Sequence, residues 1–238
     1  MEIKIEELKF DNWVSLSSRC HYYLREDGKH IRHGLFESWH PNGNRDNETH
    51  FEHGRFHGKA TIWRSDGSLR QTGEYQEDRE DGLWQYWHAN SELMARVIYK
   101  KGRPQEGDYY LPDGEPIASV RNGTGRSVFF NDEGRMSGEA TWKEGKKVKL
   151  AHWYQNGQLE KKEEFSENGL LVTGEYFSPT GKKLSEVRCG NGVCMDTLFI
   201  EESDGTTKVQ YSEDPCINGV LQPGKWSDQT DILSEKRF

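Results

Sequence analysis

Three groups of side chains in this sequence could carry chemistry. The thiols Cys20, Cys189, Cys194 and Cys216 include a C-x4-C pair in CGNGVC. Zinc takes four sulfur or nitrogen ligands in a tetrahedron, and a structural site usually draws them from two short-spaced pairs. Cys189 and Cys194 have no second matching pair, so all four cysteines are expected to be reduced structural thiols. His30, His33, His40, His50, His53 and His57 cluster near the N-terminus, but no acidic or cysteine ligand set recurs with them. Carboxylates crowd into EYQEDREDG (74–82) and LEKKEEFSENG (159–169). General acid–base work needs one carboxyl held in a cleft with a raised pKa, and these runs read as solvated turns. No nucleophile motif, phosphate-binding loop or metalloprotease helix is present. The expectation is a protein with no catalytic residues, no metal and no cofactor.

The elements that must position these residues are repeats. From Gly43, equivalent turn positions fall at Gly67, Ser91, Gly114, Gly134, Gly157, Gly181 and Gly205, in steps of 24, 24, 23, 20, 23, 24 and 24 residues. Four residues before the first seven stand Trp39, Trp63, Trp87, Tyr110, Phe130, Trp153 and Phe177. A fixed period of this length marks a repeat architecture. The histidine spacing follows from it, as do the many glycines, which lie in hairpin turns rather than in a dinucleotide fingerprint.

Each copy holds two strand-sized segments and two turns. Pro41, Pro112 and Pro179 stand two residues before their turn glycines. Proline presets φ for the first central position of a type I turn, and glycine then takes the left-handed conformation. The result is a three-residue hairpin loop. That loop length pairs Trp63 with Leu69, Trp87 with Leu93 and Trp153 with Leu159 across the hairpin. Parity adds Tyr75, Tyr99 and Phe165 to the same face and sends Phe36, Ile62, Trp84, Tyr86 and His152 to a mixed opposite face. The predicted fold is all-β: an elongated single-layer antiparallel sheet of tandem β-hairpin repeats with a period of about 24 residues. Residues 1–18, with Phe10, Trp13 and Val14, form a leading strand or cap, 19–213 the array, and 214–238 an unassigned tail.

Only 32% of the 238 residues are hydrophobic, yet 12% are aromatic, which fits thin, turn-rich β structure better than disorder. The net charge of −8 argues against a general nucleic-acid binder. No apolar run approaches the ~20 residues of a membrane span. The N-terminus MEIKIEELKF lacks the features of a signal peptide, so a cytoplasmic location is expected.

The segment Gly82–Asn90, of the form G-x-W-x-Y-W-x-x-N, with GLFESWHPNG, GKATIWRSDG, GRSVFFNDEG and GEYFSPTG, resembles the MORN (membrane occupation and recognition nexus) repeat, most closely its bacterial variant. The resemblance covers about residues 20 to 210. It implies a binding protein. Bacterial proteins built from such variants are often described as antitoxins or immunity proteins, which implies a chain that binds a toxin and occludes it. The alternative is a non-catalytic scaffold or membrane-associated adaptor. The candidate partner-binding residues are Trp84 and Tyr86 on the mixed face, neighbouring His88, and the acidic turn Glu77, Asp78, Glu80 and Asp81, which could meet a basic protein.

Overall fold

A computed structural model describes residues 2–9, 16–190, 193–201, 207–217, 220–221 and 231–233. The expected positions Phe10, Trp13, Val14 and Gly205, and most of the tail beyond residue 217, lie outside them. Among the described residues every regular element is a strand, and the chain divides into two compact units.

Unit 1 comprises Met1–Gly123 with Asp132–Gly134. Its strands are β1 (Lys4–Lys9), β2 (Leu16–Leu24), β3 (His30–Trp39), β4 (Arg45–Glu52), β5 (Arg55–Trp63), β6 (Leu69–Gln76), β7 (Arg79–Trp87), β8 (Leu93–Lys100), β9 (Arg103–Tyr110) and β10 (Pro116–Arg121). Each pairs antiparallel with the next. Unit 2 comprises Thr124–Asn131 with Arg135–Phe238. It is a second meander of β11 (Thr124–Phe130), β12 (Met136–Lys143), β13 (Lys146–Trp153), β14 (Leu159–Phe165), β15 (Leu171–Phe177), β16 (Lys183–Gly190), β17 (Val193–Glu201) and β18 (Thr207–Ile217). The short strands β19 (Val220–Leu221) and β20 (Asp231–Leu233) both pair with β18. Consecutive hairpins forming open antiparallel sheet are what the repeat implies. The division into units falls at the copy with the 20-residue step.

The loop chemistry fixes the register. In HPNGN, His40 N–H donates to the Asn44 carbonyl and Gly43 N–H to the His40 carbonyl, with Gly43 at φ +88°. The same pair of bonds closes the loops at Gly28, Gly67, Gly114, Gly157, Gly169 and Gly181. Trp63 stands opposite Leu69, Trp87 opposite Leu93 and Trp153 opposite Leu159, as expected. Ser91 takes the glycine position at φ +67° and makes the same bond, to the His88 carbonyl. A side chain there strains against the backbone. Ser91→Gly is therefore expected to raise stability by about 1 kcal/mol, read as a higher urea midpoint with unchanged slope.

The second turns, at His53–Gly54, Glu77–Asp78, Lys101–Gly102, Asn122–Gly123 and Glu144–Gly145, have two central residues, both with positive φ. This is the hairpin turn whose twist matches that of the flanking strands.

The core of unit 1 is centred on a row crossing the strands on one face, with Phe51, Ala95 and Tyr109 buried beside it. It runs Phe36–Thr49–Ala60–Gly73 through successive register partners, then Trp84–Val97–Gly107–Val120. Thr49, Ala60, Trp84, Val97 and Val120 are all buried. Large rings lie over small neighbours. A Cβ on Gly73 would sit 2.2 Å from the Trp84 ring, and one on Gly107 would sit 3.1 Å from Tyr109. On the opposite face the register partners form a polar row: Glu7–Arg19–Glu37–Glu48–Thr61–Thr72 in β1–β6 and Gln85–Arg96–Asp108–Ser119 in β7–β10. Within it Glu37 is buried between Arg19 and Arg45, at 3.3 and 3.6 Å.

The expected assignment of faces is overturned. Trp84 lies in the core row rather than on an open mixed face, and Tyr75 meets it edge-on at 4.8 Å. The reason is a bulge beside each long loop. Ile62 faces Gln71 while Trp63 faces Leu69, leaving Arg70 as an extra residue. Side-chain parity counted from the Trp63–Leu69 pair therefore does not carry into the strands. Trp39, Trp63, Trp87, Trp153 and Phe177 are only half-buried.

The expectation of reduced thiols is also corrected. Cys189 is disulfide-bonded, and the residue facing it across β16 and β17 is Cys194. A two-strand ladder brings the C-x4-C positions opposite each other, which the linear spacing alone did not suggest. Cys20 is a free thiol.

Candidate functional site

Two columns of turns decide which of the predicted site residues are available. Along the long loops, the residue after the register aromatic reaches one repeat onward in four copies. His40 Nε2 bonds the Trp63 carbonyl at 3.2 Å, Arg64 Nη2 the Trp87 carbonyl at 2.5 Å, His88 Nε2 the Tyr110 carbonyl at 2.9 Å, and the Tyr154 hydroxyl the Phe177 carbonyl at 2.9 Å. Asn90 and Asn156 donate in parallel to the Pro112 and Pro179 carbonyls. These latches satisfy strand-end carbonyls that would otherwise face partial burial. Along the short turns the direction reverses. Gly54, Asp78 and Gly102 N–H groups donate to the Arg32, Phe56 and Glu80 carbonyls.

These columns account for several predicted partner-binding residues. His88, 1% exposed, is a latch. Trp84, fully buried, donates its indole N–H to the Glu74 carbonyl at 2.9 Å. Both are structural in this fold, which corrects the reading of Trp84 as a surface ring. Asp78 accepts the Phe56 N–H at 2.8 Å, and Asp81 accepts the Lys101 N–H at 3.1 Å. Glu77 is exposed and lies 3.8 Å from Arg55. Glu80 lends its backbone carbonyl to the short-turn column, but its side chain and that of Tyr86 are left half-buried at the surface with no part in a turn column.

They belong to an aromatic row that sequence reasoning split between two faces. Ring centroids step from Phe36 to Phe51 (6.2 Å), Phe56 (4.7 Å), Tyr75 (5.2 Å), Trp84 (4.8 Å) and Tyr86 (5.9 Å). The Arg32 guanidinium lies over Phe36 and Phe51, 5.0 and 5.2 Å from their centroids, a favourable cation–π geometry. Phe56 is exposed, and Tyr75 and Tyr86 are half-buried. The row spans five strands and joins the residue types that dominate protein interfaces.

Glu80 faces Tyr75 in the register, and burial raises its carboxyl above the ordinary glutamate range. A carboxyl that binds its proton more readily folded than unfolded loses stability on ionising. Glu80→Gln is thus expected to raise Tm at pH 7. The gain should shrink as pH falls and vanish below about pH 4, where glutamate is protonated in both states. Paired thermal melts at the two pH values check this.

Two concavities offer other chemistry. A groove of about 470 Å³ in unit 2 is lined by Glu139, Lys149, Lys162, Glu164, Glu175 and Arg188 among others. Its charges are largely matched within the fold: Lys149 pairs with Glu164 at 2.8 Å, and Glu175 pairs with both Lys162 and Lys183. A hollow of about 240 Å³ on β1–β3 includes Cys20, Arg32 and Phe36. Burial raises the Cys20 pKa, so its sulfur is a protonated thiol at neutral pH rather than a nucleophile. The His33 and His53 rings lie 5.0 Å apart, tilted at 52°, beside Tyr23. Among the described residues no three His, Cys, Asp or Glu side chains converge on a metal-sized space, and no helix is long and apolar enough to cross a membrane.

Tandem two-strand units joined by latched turns define a β-hairpin repeat protein. Residues 32–53, which span β3, its long loop and β4, match the family described as the MORN repeat variant. The match covers one copy of the repeat, and the tandem hairpins on either side of it are consistent with a MORN repeat protein, a kind of repeat that suggests a role in binding. No curated protein matches the chain.

Proposed function

We propose that this chain is a non-catalytic, cytoplasmic protein-binding module of the antitoxin or immunity type, which neutralises a cognate toxin by covering it. The observation that supports the reading is the aromatic row from Phe36 to Tyr86, flanked by Arg32 and Glu80 and presented on rigid strands. Rings held in place by the sheet lose little entropy on binding. The net charge of −8 favours encounter with a basic partner.

The test is affinity capture from the native host with tagged full-length protein at low and moderate salt, followed by mass spectrometry. One stoichiometric partner, toxic when expressed alone and silent when co-expressed, is the expected result. Many weak partners, or flotation with anionic liposomes, would overturn it in favour of a scaffold or membrane-associated adaptor. The disulfide at Cys189 weighs toward an oxidising compartment, so fractionation with thiol trapping decides the cytoplasmic part of the proposal.

A further inference from the structure

Beside the aromatic row, the Glu80 backbone carbonyl accepts the Gly102 N–H, while its half-buried side chain serves no turn column. Glu80 stands opposite Tyr75 on one side of β7. On the other side Tyr99 faces Gly82, two residues along the same strand and on the same face as Glu80. The Tyr86 and Tyr99 hydroxyls lie close enough to influence each other's ionisation. Burial pushes the hydroxyls of Tyr75, Tyr86 and Tyr99 up, Tyr99 to about 12, and the Glu80 charge adds to the effect at all three. All three are therefore neutral hydroxyls around one carboxylate. Nothing lies within 4 Å of the position a Cβ on Gly82 would take, so the floor between Glu80 and Tyr99 is open. No Lys, Arg or His among the described residues forms an ion pair with Glu80.

A half-buried carboxylate ringed by aromatic faces and hydroxyl oxygens is complementary to a cation. The carboxylate supplies charge, the hydroxyls accept N–H bonds, and the rings attract positive charge through their quadrupoles. An anion would be repelled, and a single carboxylate is too few ligands for a divalent metal. We propose that Glu80, Tyr75, Tyr86 and Tyr99 form a receptor for a lysine or arginine side chain presented by the protein partner. This rests on the protein-binding reading and specifies the chemistry of the contact. The incoming cation would relieve the cost of ionised Glu80, so charge that weakens the free protein becomes useful in the complex.

The probe is a capped peptide of alternating lysine and glycine, with a glutamine-for-lysine version as the neutral control. Both are titrated calorimetrically into full-length protein. Wild type is expected to bind the lysine peptide and not the control. Glu80→Gln should weaken binding about tenfold or more, equivalent to about 1.4 kcal/mol. Glu77→Gln removes an equal charge from the exposed neighbouring turn and should change affinity less than about twofold. Tyr99→Phe keeps the ring and loses the hydroxyl, and should fall between them. Equal losses in Glu77→Gln and Glu80→Gln, or unchanged binding in Glu80→Gln, would overturn the receptor in favour of a diffuse acidic field. Glu80→Gln removes a penalised charge, so it is expected to fold, and matching circular dichroism confirms this. The titration contains no toxin, so its failure overturns the cation receptor alone. Failure of the capture experiment overturns the antitoxin reading alone.

Discussion

Trp84→Ala is expected to destabilise unit 1 by about 3–5 kcal/mol, the range for truncating a fully buried aromatic. Trp84 is 0% exposed, its indole N–H closes on the Glu74 carbonyl, and its ring covers the bare backbone of Gly73. Truncation opens a cavity over Gly73, leaves the Glu74 carbonyl without that donor, and removes the edge contact with Tyr75 and the stack with Tyr86. The reciprocal change tests the same contact from below. Gly73→Ala places a methyl 2.2 Å from the ring. Overpacking of this kind costs about 1–3 kcal/mol, because the Trp84 ring is held on several sides. Combined with Trp84→Ala, the added methyl enters the vacated space and should cost much less. The double-mutant cycle is thus expected to be non-additive by more than about 1 kcal/mol. Urea unfolding of the four proteins measures it. Additive losses would mean that the ring does not rest on Gly73.

This contact also shows what the sequence could and could not convey. The cross-strand pairs Trp63–Leu69 and Trp87–Leu93 were legible because Pro and Gly fix the loop length in the copies at Gly43, Gly114 and Gly181, the repeat carries that length to their own loops, and loop length fixes register. The faces were not legible. Arg70 and its counterparts are bulge residues, and one extra residue reverses every parity argument drawn from the loop outward. Trp84 therefore read as a surface ring although Ala60, Gly73 and Gly107, the small residues that make room for rings in the core row, were plain in the sequence. The acidic turn misled for a different reason. Asp78 and Asp81 are polar at the surface because they accept N–H groups from neighbouring turns about 20 residues away, a partnership that local sequence does not display. Glu80 and Tyr86 were placed at the candidate site from the start. Tyr75 and Tyr99 were assigned to the opposite face, and only the bulges bring them to the same side as Glu80.

His88→Ala is expected to cost about 2–4 kcal/mol, combining a cavity with a strand-end carbonyl left unpaired. His88 is 1% exposed, and its Nε2 donates to the Tyr110 carbonyl one repeat onward. In a repeat protein stability is largely carried by such nearest-neighbour interfaces. The loss should therefore fall on the junction of the Trp87 and Tyr110 hairpins rather than on either hairpin alone. Hydrogen exchange localises it: the amides of β7–β10 should lose protection while those of β2–β4 keep theirs. A second substitution separates packing from hydrogen bonding. Leu111 occupies the corresponding position of the next repeat, so leucine is compatible with the loop. His88→Leu restores most of the buried volume but leaves the Tyr110 carbonyl without this donor, and should cost about 1–2 kcal/mol. If His88→Leu were as stable as wild type, the histidine would be filling space rather than holding the repeats together. The donors His40, Arg64 and Tyr154 at the same position would then need another explanation. If His88→Leu fell as far as His88→Ala, the bond to Tyr110 would be the larger part of the interface. That outcome would make the residue after each register aromatic the determinant of how firmly one repeat is tied to the next.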